Sequence, residues 1–244
     1  MLENNSILKK LALALPDIPK WVETRSLLLS GRCQLFGLDE TGTLSFVVRN
    51  AELKLISIVG FPERRAIEEA VEKNEGKCVV LAAEENGRHV SENLPGWEVS
   101  PASLHLLGKE ARLPSISDKV VRLIRPNELN EISTLPPDLN EELAIASQYS
   151  PVAAAFAEDG PVSFCYAGAE TEGLWDISID TLERYRKQGY AGVCVAYMIE
   201  HMSREGKQPV WGAEEVNVAS MRLAAKLGFE VVDKIMVFHA KEIA

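Results

Sequence analysis

Residues 174–192 read LWDISIDTLERYRKQGYAG, and the stretch 193–206 that follows reads VCVAYMIEHMSREG. The first eight residues alternate apolar and polar, the period of a half-buried strand. Asp176, Ser178 and Asp180 then share one strand face. The charged segment from Glu183 contains Gly189, and VCVAYMIEHM resumes with apolar residues at helical spacing, closed by Gly206. A strand, a glycine-containing loop and a helix start in that order form an anion site. The first N–H groups of a helix lack intrahelical partners and carry the positive end of its dipole. Arg184, Arg186 and Lys187 add formal charge, Gly189 allows a close approach, and Ala191 keeps the first turn small. A pyrophosphate suits such a nest.

Outward from this segment the pattern stays mixed. Upstream, VVRLI (120–124) is strand-like, PNELNEISTL (126–135) opens a helix and LNEELAIASQY (139–149) suits another. VAAAFA and PVSFCYAGA form a hairpin about Asp159–Gly160. Downstream, PVWGAE is a strand, and NVASMRLAAKLG is a helix with Asn217 as N-cap and Gly228 after its end. FEVVDKIMVFHA closes with strand character. In the first half, the N-terminus predicts a short amphipathic helix ended by Pro16. LLLSGRCQLFGL and GTLSFVVRN predict a hairpin around Asp39–Gly42. ELKLISIVG, KCVVLAAEE and GWEVSPASLHLLG predict strands, with a helix over PERRAIEEAVEKNEG. Ala83-Glu84-Glu85-Asn86 followed by Gly96-Trp97-Glu98-Val99 parallels Ala213-Glu214-Glu215 and Asn217 followed by Gly228-Phe229-Glu230-Val231. This marks an internal repeat of one α/β unit. The polar stretch Leu106–Lys119 is the expected linker.

Composition narrows the function classes. The 244 residues suffice for two ordinary domains. No apolar run approaches a membrane span, and LALAL is too short for a secretory core, so a cytoplasmic protein is expected. A net charge of −10 speaks against a nucleic-acid partner and is compatible with a cationic substrate. The four cysteines sit singly in apolar segments, and the four histidines lack metal-ligand spacing. Reduced thiols, ordinary surface or interface histidines and no metal are expected. A nucleotide P-loop, a dinucleotide fingerprint and a nucleophile elbow are all absent.

Three blocks together resemble the GCN5-related N-acetyltransferase (GNAT) superfamily: the strand and loop LWDISIDTLERYRKQGYA, the helix VCVAYMIEHM, and PVWGAEEVNVASMRLAAKLGFEVV. The resemblance spans about Val120–Ala240, while the first half lacks the glycine loop and looks like a degenerate copy. What it implies is an α/β fold of the α+β type, with a mixed, splayed, mostly antiparallel sheet flanked by helices. Residues 1–113 would form a degenerate GNAT-like domain and 114–244 the acetyl-CoA-binding catalytic domain. Backbone groups around Ile179–Thr181 would pair with the pantetheine arm. The N–H groups of Lys187, Gln188, Gly189, Tyr190, Ala191 and Gly192, beside Arg186, would cradle the pyrophosphate. Asn217 would reach the cofactor wall, or act as an N-cap alone.

The implied activity is transfer of an acetyl group from acetyl-CoA to an amine acceptor, by direct attack in a ternary complex without a metal. A small-molecule or peptide amine is the expected acceptor. Many family members carry a tyrosine seven residues after the Asn, where this chain has Ala224. Ser220, on a similar helix face, is the replacement donor to the sulfur, or a helix-start hydroxyl bonded to backbone. Glu214 is the first candidate base, with Asp180 and Asp176 as rivals. Trp175 and Trp211 either line an acceptor pocket or pack in the core. Tyr190 either stacks near the adenine or faces solvent. The missing tyrosine and degenerate half leave a second reading, a non-catalytic coenzyme A-binding sensor or scaffold. A monomer or homodimer is expected.

Overall fold

The computed structural model describes residues 2–38, 44–116, 121–130, 132 and 135–241. In chain order the helices and strands begin with α1 (Leu2–Ala14), α2 (Val22–Ser30), β1 (Gln34–Phe36), β2 (Phe46–Asn50) and β3 (Leu55–Val59). There follow α3 (Arg64–Glu72), β4 (Val79–Ala83), α4 (Gly87–Asn93) and β5 (Glu98–Leu107). The second half runs β6 (Val121–Ile124), α5 (Pro126–Asn130), α6 (Pro137–Ala146), β7 (Val152–Ala157), β8 (Gly160–Glu170) and β9 (Leu174–Thr181). It ends with α7 (Tyr190–Ser203), β10 (Gln208–Glu214), α8 (Val218–Leu227) and β11 (Phe229–His239). Two compact units emerge that are not contiguous in sequence. One comprises Met1–His105, Gly212–Met221 and Val231–Ala244; the other comprises Leu106–Trp211 and Arg222–Glu230.

In the first unit β1 pairs with β2 and β2 with β3, both antiparallel. β3 and β4 are parallel, joined by α3, and β4 takes the end of β11 antiparallel at Ile235–His239. β2 reads as unbroken burial because both faces are covered. Phe46 and Val48 face α1 and α2, and Val47 packs with Ile56, Ile58, Ile67 and Val90. The guanidinium of Arg25 donates to the carbonyls of Ala12 and Leu15, tying α2 to the end of α1. The expected strand over LLLSGRCQLFGL is corrected here. Leu27 and Leu28 belong to α2, capped by Gly31 at φ 69°, and only Gln34–Phe36 is strand. Buried residues at Val22, Thr24, Arg25, Leu27 and Leu28 fit a helix face, which a short apolar run does not reveal alone. The tip of the expected hairpin, Asp39–Gly42, lies outside the described residues, although β1 and β2 do pair.

In the second unit β6, β7, β8 and β9 are successive antiparallel neighbours, and β10 runs parallel to β9. β7 is built of small residues, with Ala153, Ala154 and Ala155 fully buried, so α7 can press close to it. Cys194 of α7 donates its thiol to the carbonyl of Ala153 at 3.3 Å. Burial raises that thiol to about 12 and holds Cys165 well above its usual value, so both are inert thiols. Phe164 and Tyr166 of β8 face the opposite way, packing with Leu143 of α6 and Leu129 of α5. The hairpin turns at Gly160, φ 121°, and Trp175 and Trp211 are core residues, Trp211 edge-on to Phe229 at 5.2 Å.

The chain therefore contains the same run of strand, helix, parallel strand, helix and strand twice: β3-α3-β4-α4-β5, and β9-α7-β10-α8-β11. The matched glycines Gly96 and Gly228 take φ of 87° and 86° before their final strands. Gly228 has a second constraint, because a Cβ there would lie 2.7 Å from the Cα and Cβ of Ala111. Gly228→Ala is expected to destabilise the fold by about 2 kcal/mol or more, combining left-handed strain with a backbone clash. Chemical denaturation of the variant measures the loss.

Candidate functional site

The strand β9 pairs with β10 over Leu174–Asp176 against Gln208–Val210, and the register stops there. Residues 177–181 continue beyond it, paired on their other side with β8. The N–H of Leu182 donates to the carbonyl of Val162 at 2.9 Å, which fixes the alternation of the antiparallel ladder. Even-numbered residues here turn their backbone groups toward β8, so Ile179 and Thr181 turn theirs away. The outward carbonyl of Thr181 accepts from Arg186 Nε at 3.2 Å. Thus the edge formed by Ile179 and Thr181 offers extended backbone donors and acceptors, the pattern that an amide-bearing chain can pair with.

The loop that follows has the conformation an anion needs. Glu183–Tyr185 makes a single 3₁₀ turn, Lys187 takes φ 61° and Gly189 φ 94°. A left-handed lysine is uncommon and strained, and two such residues around Gln188 turn successive N–H groups into one concavity. The first N–H to bond back is that of Val193, to the carbonyl of Gly189 at 3.2 Å. Among the described residues, no backbone acceptor is paired with the N–H groups of Lys187–Gly192. A Cβ built on Gly189 meets nothing within 4 Å, so the concavity is open there. Gly192, by contrast, is buried beside Leu227 and Pro114.

The cations are less free than the sequence implies. Arg184 is held by Asp159 at 3.2 Å and lies over the Tyr185 ring, and Tyr185 also bonds Asp159. Gln188 folds back onto the carbonyl of Arg184 at 2.9 Å, and Tyr190 sits edge-on to Tyr185 at 5.9 Å.

One face of β8 and β9 carries the polar side chains. The register sets Tyr166 opposite Ser178 and Phe164 opposite Asp180. The Tyr166 hydroxyl donates to Glu142 of α6 and accepts from Ser178. Burial first, then Glu142, raise the tyrosine's pKa, so it stays protonated. Asp180 is raised as well, by burial first and then by the negative charge of Glu142, against a lowering from Arg186. No hydrogen bond from a described residue reaches its carboxylate. Opposite Asp176 and Ile177, β8 bulges between Ala167 and Ala169, and a Cβ on Gly168 would come within 2.9 Å of Ser178 Oγ.

Glu214, Asn217 and Ser220 lie in the other unit. Glu214, at the end of β10, accepts from His239 Nε2 at 3.1 Å. Asn217 Oδ1 accepts from the N–H of Ser220 at 3.1 Å, an N-cap for α8. Ser220 is half-buried, and Ala224 is fully buried with its side chain in the core. Of the histidines, expected at the surface or an interface, His105 is buried on β5, and His89 bonds the carbonyl of Pro62. Glu142 and Tyr166 were not expected at all. Only the strand register and the packing of α6 bring them to Asp180.

Residues 153–238 match the family model described as GNAT acetyltransferase. No curated protein matches the chain in sequence. Solved structures share its fold. A GCN5-related N-acetyltransferase-like protein from Streptococcus suis 89/1591 is 18% identical, with a TM-score of 0.69, over 99% of this chain and 100% of that one. A GCN5-related N-acetyltransferase from Kribbella flavida is 14% identical, with a TM-score of 0.63, over 91% and 94%. A tandem GNAT protein from the clavulanic acid biosynthesis pathway is 11% identical, with a TM-score of 0.52, over 80% and 77%. No described helix is long and apolar enough to cross a membrane, and no described group of three or more His, Cys, Asp or Glu could hold a metal ion.

Proposed function

We propose that the chain transfers an acetyl group from acetyl-CoA to an amine acceptor by direct attack, with Asp180 as the base. The observation that carries this reading is the loop of unpaired N–H groups from Lys187 to Gly192, adjoining the outward backbone edge of Ile179 and Thr181. The loop binds the pyrophosphate, with Arg186 and Lys187 adding charge. The edge of Ile179 and Thr181 pairs with the pantetheine amides, and the strand N–H of Ile179 serves as a donor to the developing oxyanion. This binding fits the donor set: six N–H groups and two cations for an anion, extended backbone for amides.

Asp180 supplies the proton acceptor. An ammonium has no lone pair, so the acceptor must first give a proton to a base. The amine nitrogen then forms its bond to the thioester carbonyl carbon and gives its second proton to water, the C–S bond breaks, and coenzyme A leaves as the thiolate. Water protonates the thiolate, since Ala224 offers no acid. A carboxylate raised above its ordinary range by burial is a better base than one in water, and Asp180 is unpaired by hydrogen bonds. Glu214, the first candidate from sequence, is engaged by His239.

The test is turnover. Purified protein with acetyl-CoA and a panel of primary amines is expected to release free coenzyme A and yield an N-acetylated product by mass spectrometry. Tight acetyl-CoA binding with no product from any amine would favour a binding module instead.

A further inference from the structure

The geometry points to Glu142 as a positioning residue for the proposed transfer: held against β8 by the Tyr166 hydroxyl, it keeps Asp180 competent to take the acceptor's proton. This inference rests on Asp180 being the base.

Sequence places Glu142 at an edge. Leu139, Leu143 and Ala146 recur at helical spacing along α6 and pack against Phe164, Tyr166 and Val152. Glu142 lies three residues after Leu139, one step off that apolar stripe, and is exposed. An exposed glutamate on such a helix normally wags in solvent. Here the Tyr166 hydroxyl donates to it, and Ser178 donates in turn to the tyrosine oxygen. The chain of bonds therefore runs from α6 through β8 to β9, one pleat from Asp180.

The groups facing Asp180 can be named from each packed element. Glu142 comes from α6, Tyr166 from β8, Asp176 from farther back on the same face of β9, and Arg186 from the loop. Glu142 opposes ionisation of Asp180 and Arg186 favours it. Without Glu142 the guanidinium would act unopposed, and the carboxylate would bind protons more weakly. Tyr166 makes the opposition steady, because a donor in a fixed strand register sets where the charge sits. Tyr166 itself stays protonated and gives up no proton in the reaction.

The experiment is the carboxyl ¹³C titration of Asp180, assigned by its absence in Asp180→Asn, in wild type, Glu142→Gln and Tyr166→Phe, with the acid limb of kcat/KM measured alongside. Glu142→Gln keeps the acceptor for Tyr166 and removes only the charge. Its Asp180 midpoint and acid limb are expected to move together to lower pH, with plateau kcat falling several-fold as the base weakens. Tyr166→Phe is expected to give a smaller shift of the same sign, because Glu142 is then released into solvent. An Asp180 midpoint unchanged in Glu142→Gln would overturn the inference. The titration needs no turnover, so it separates from failure of the acetyl-transfer reading. That failure would appear instead as no acetylated product from any amine, and failure of the base assignment as a wild-type rate that Asp180→Asn leaves unchanged.

Discussion

Asp180→Asn is expected to lower kcat by about 10²- to 10⁴-fold while acetyl-CoA binding stays near wild type, the range expected for losing a positioned base. Amide and carboxylate have nearly the same shape, so the fold around β9 is kept. What is lost is the proton acceptor. The pH profile makes the assignment specific. The base must be ionised to act, so the wild-type rate falls as pH falls through the Asp180 pKa. Burial and the charge of Glu142 place that pKa above the ordinary carboxylate value. The acid limb of kcat/KM is therefore expected above the usual carboxylate range in wild type and absent from Asp180→Asn. Stability runs in the opposite sense. A carboxyl whose folded pKa is raised costs stability above that pKa, and the cost is relieved as pH falls through it toward the unfolded value. Steady-state kinetics across pH, with calorimetry for binding, measures both consequences.

Gly189→Glu is expected to weaken acetyl-CoA binding by about 100-fold or more, equivalent to about 3 kcal/mol. Two causes add. At φ 94° an L-residue is strained, by about 1–2 kcal/mol. A carboxylate there also faces the space into which the N–H groups of Lys187–Gly192 converge, opposing a second anion. Steric exclusion is not the cause, because nothing lies within 4 Å of the added Cβ. Gly189→Ala separates the terms: it carries the strain without the charge and is expected to weaken binding by about 10-fold. Equal losses in the two variants would show that conformation alone matters and that the loop does not meet an anion.

The sequence is legible where one local rule decides the outcome. β9 alternates, Gly189 opens α7, Asn217 caps α8 and Gly228 ends it, and each is found where those rules place it. The matched blocks after β4 and β10 likewise fall at equivalent points of two similar runs. Where two rules compete the reading fails. The apolar run at Leu27–Leu29 suits a strand or a buried helix, and burial at the helical period settles it as α2. Contacts between distant segments leave no local mark. Nothing in PDLNEELAIA announces that Glu142 meets Tyr166, because the meeting depends on the register of β8 against β9 and on how α6 packs. The same holds for Glu214, whose partner His239 lies on β11. The grouping of residues 212–221 and 231–244 with the N-terminal unit is equally silent in sequence.

The most direct measurement follows the backbone amides of Lys187–Gly192 by ¹H–¹⁵N NMR during titration with acetyl-CoA. Donation of these N–H groups to a pyrophosphate predicts that they shift the most in the spectrum, saturating together with the amides of Ile179 and Thr181. Saturable binding that leaves the amides of Gln188, Gly189 and Ala191 unmoved would contradict the account, as would no binding by the folded protein.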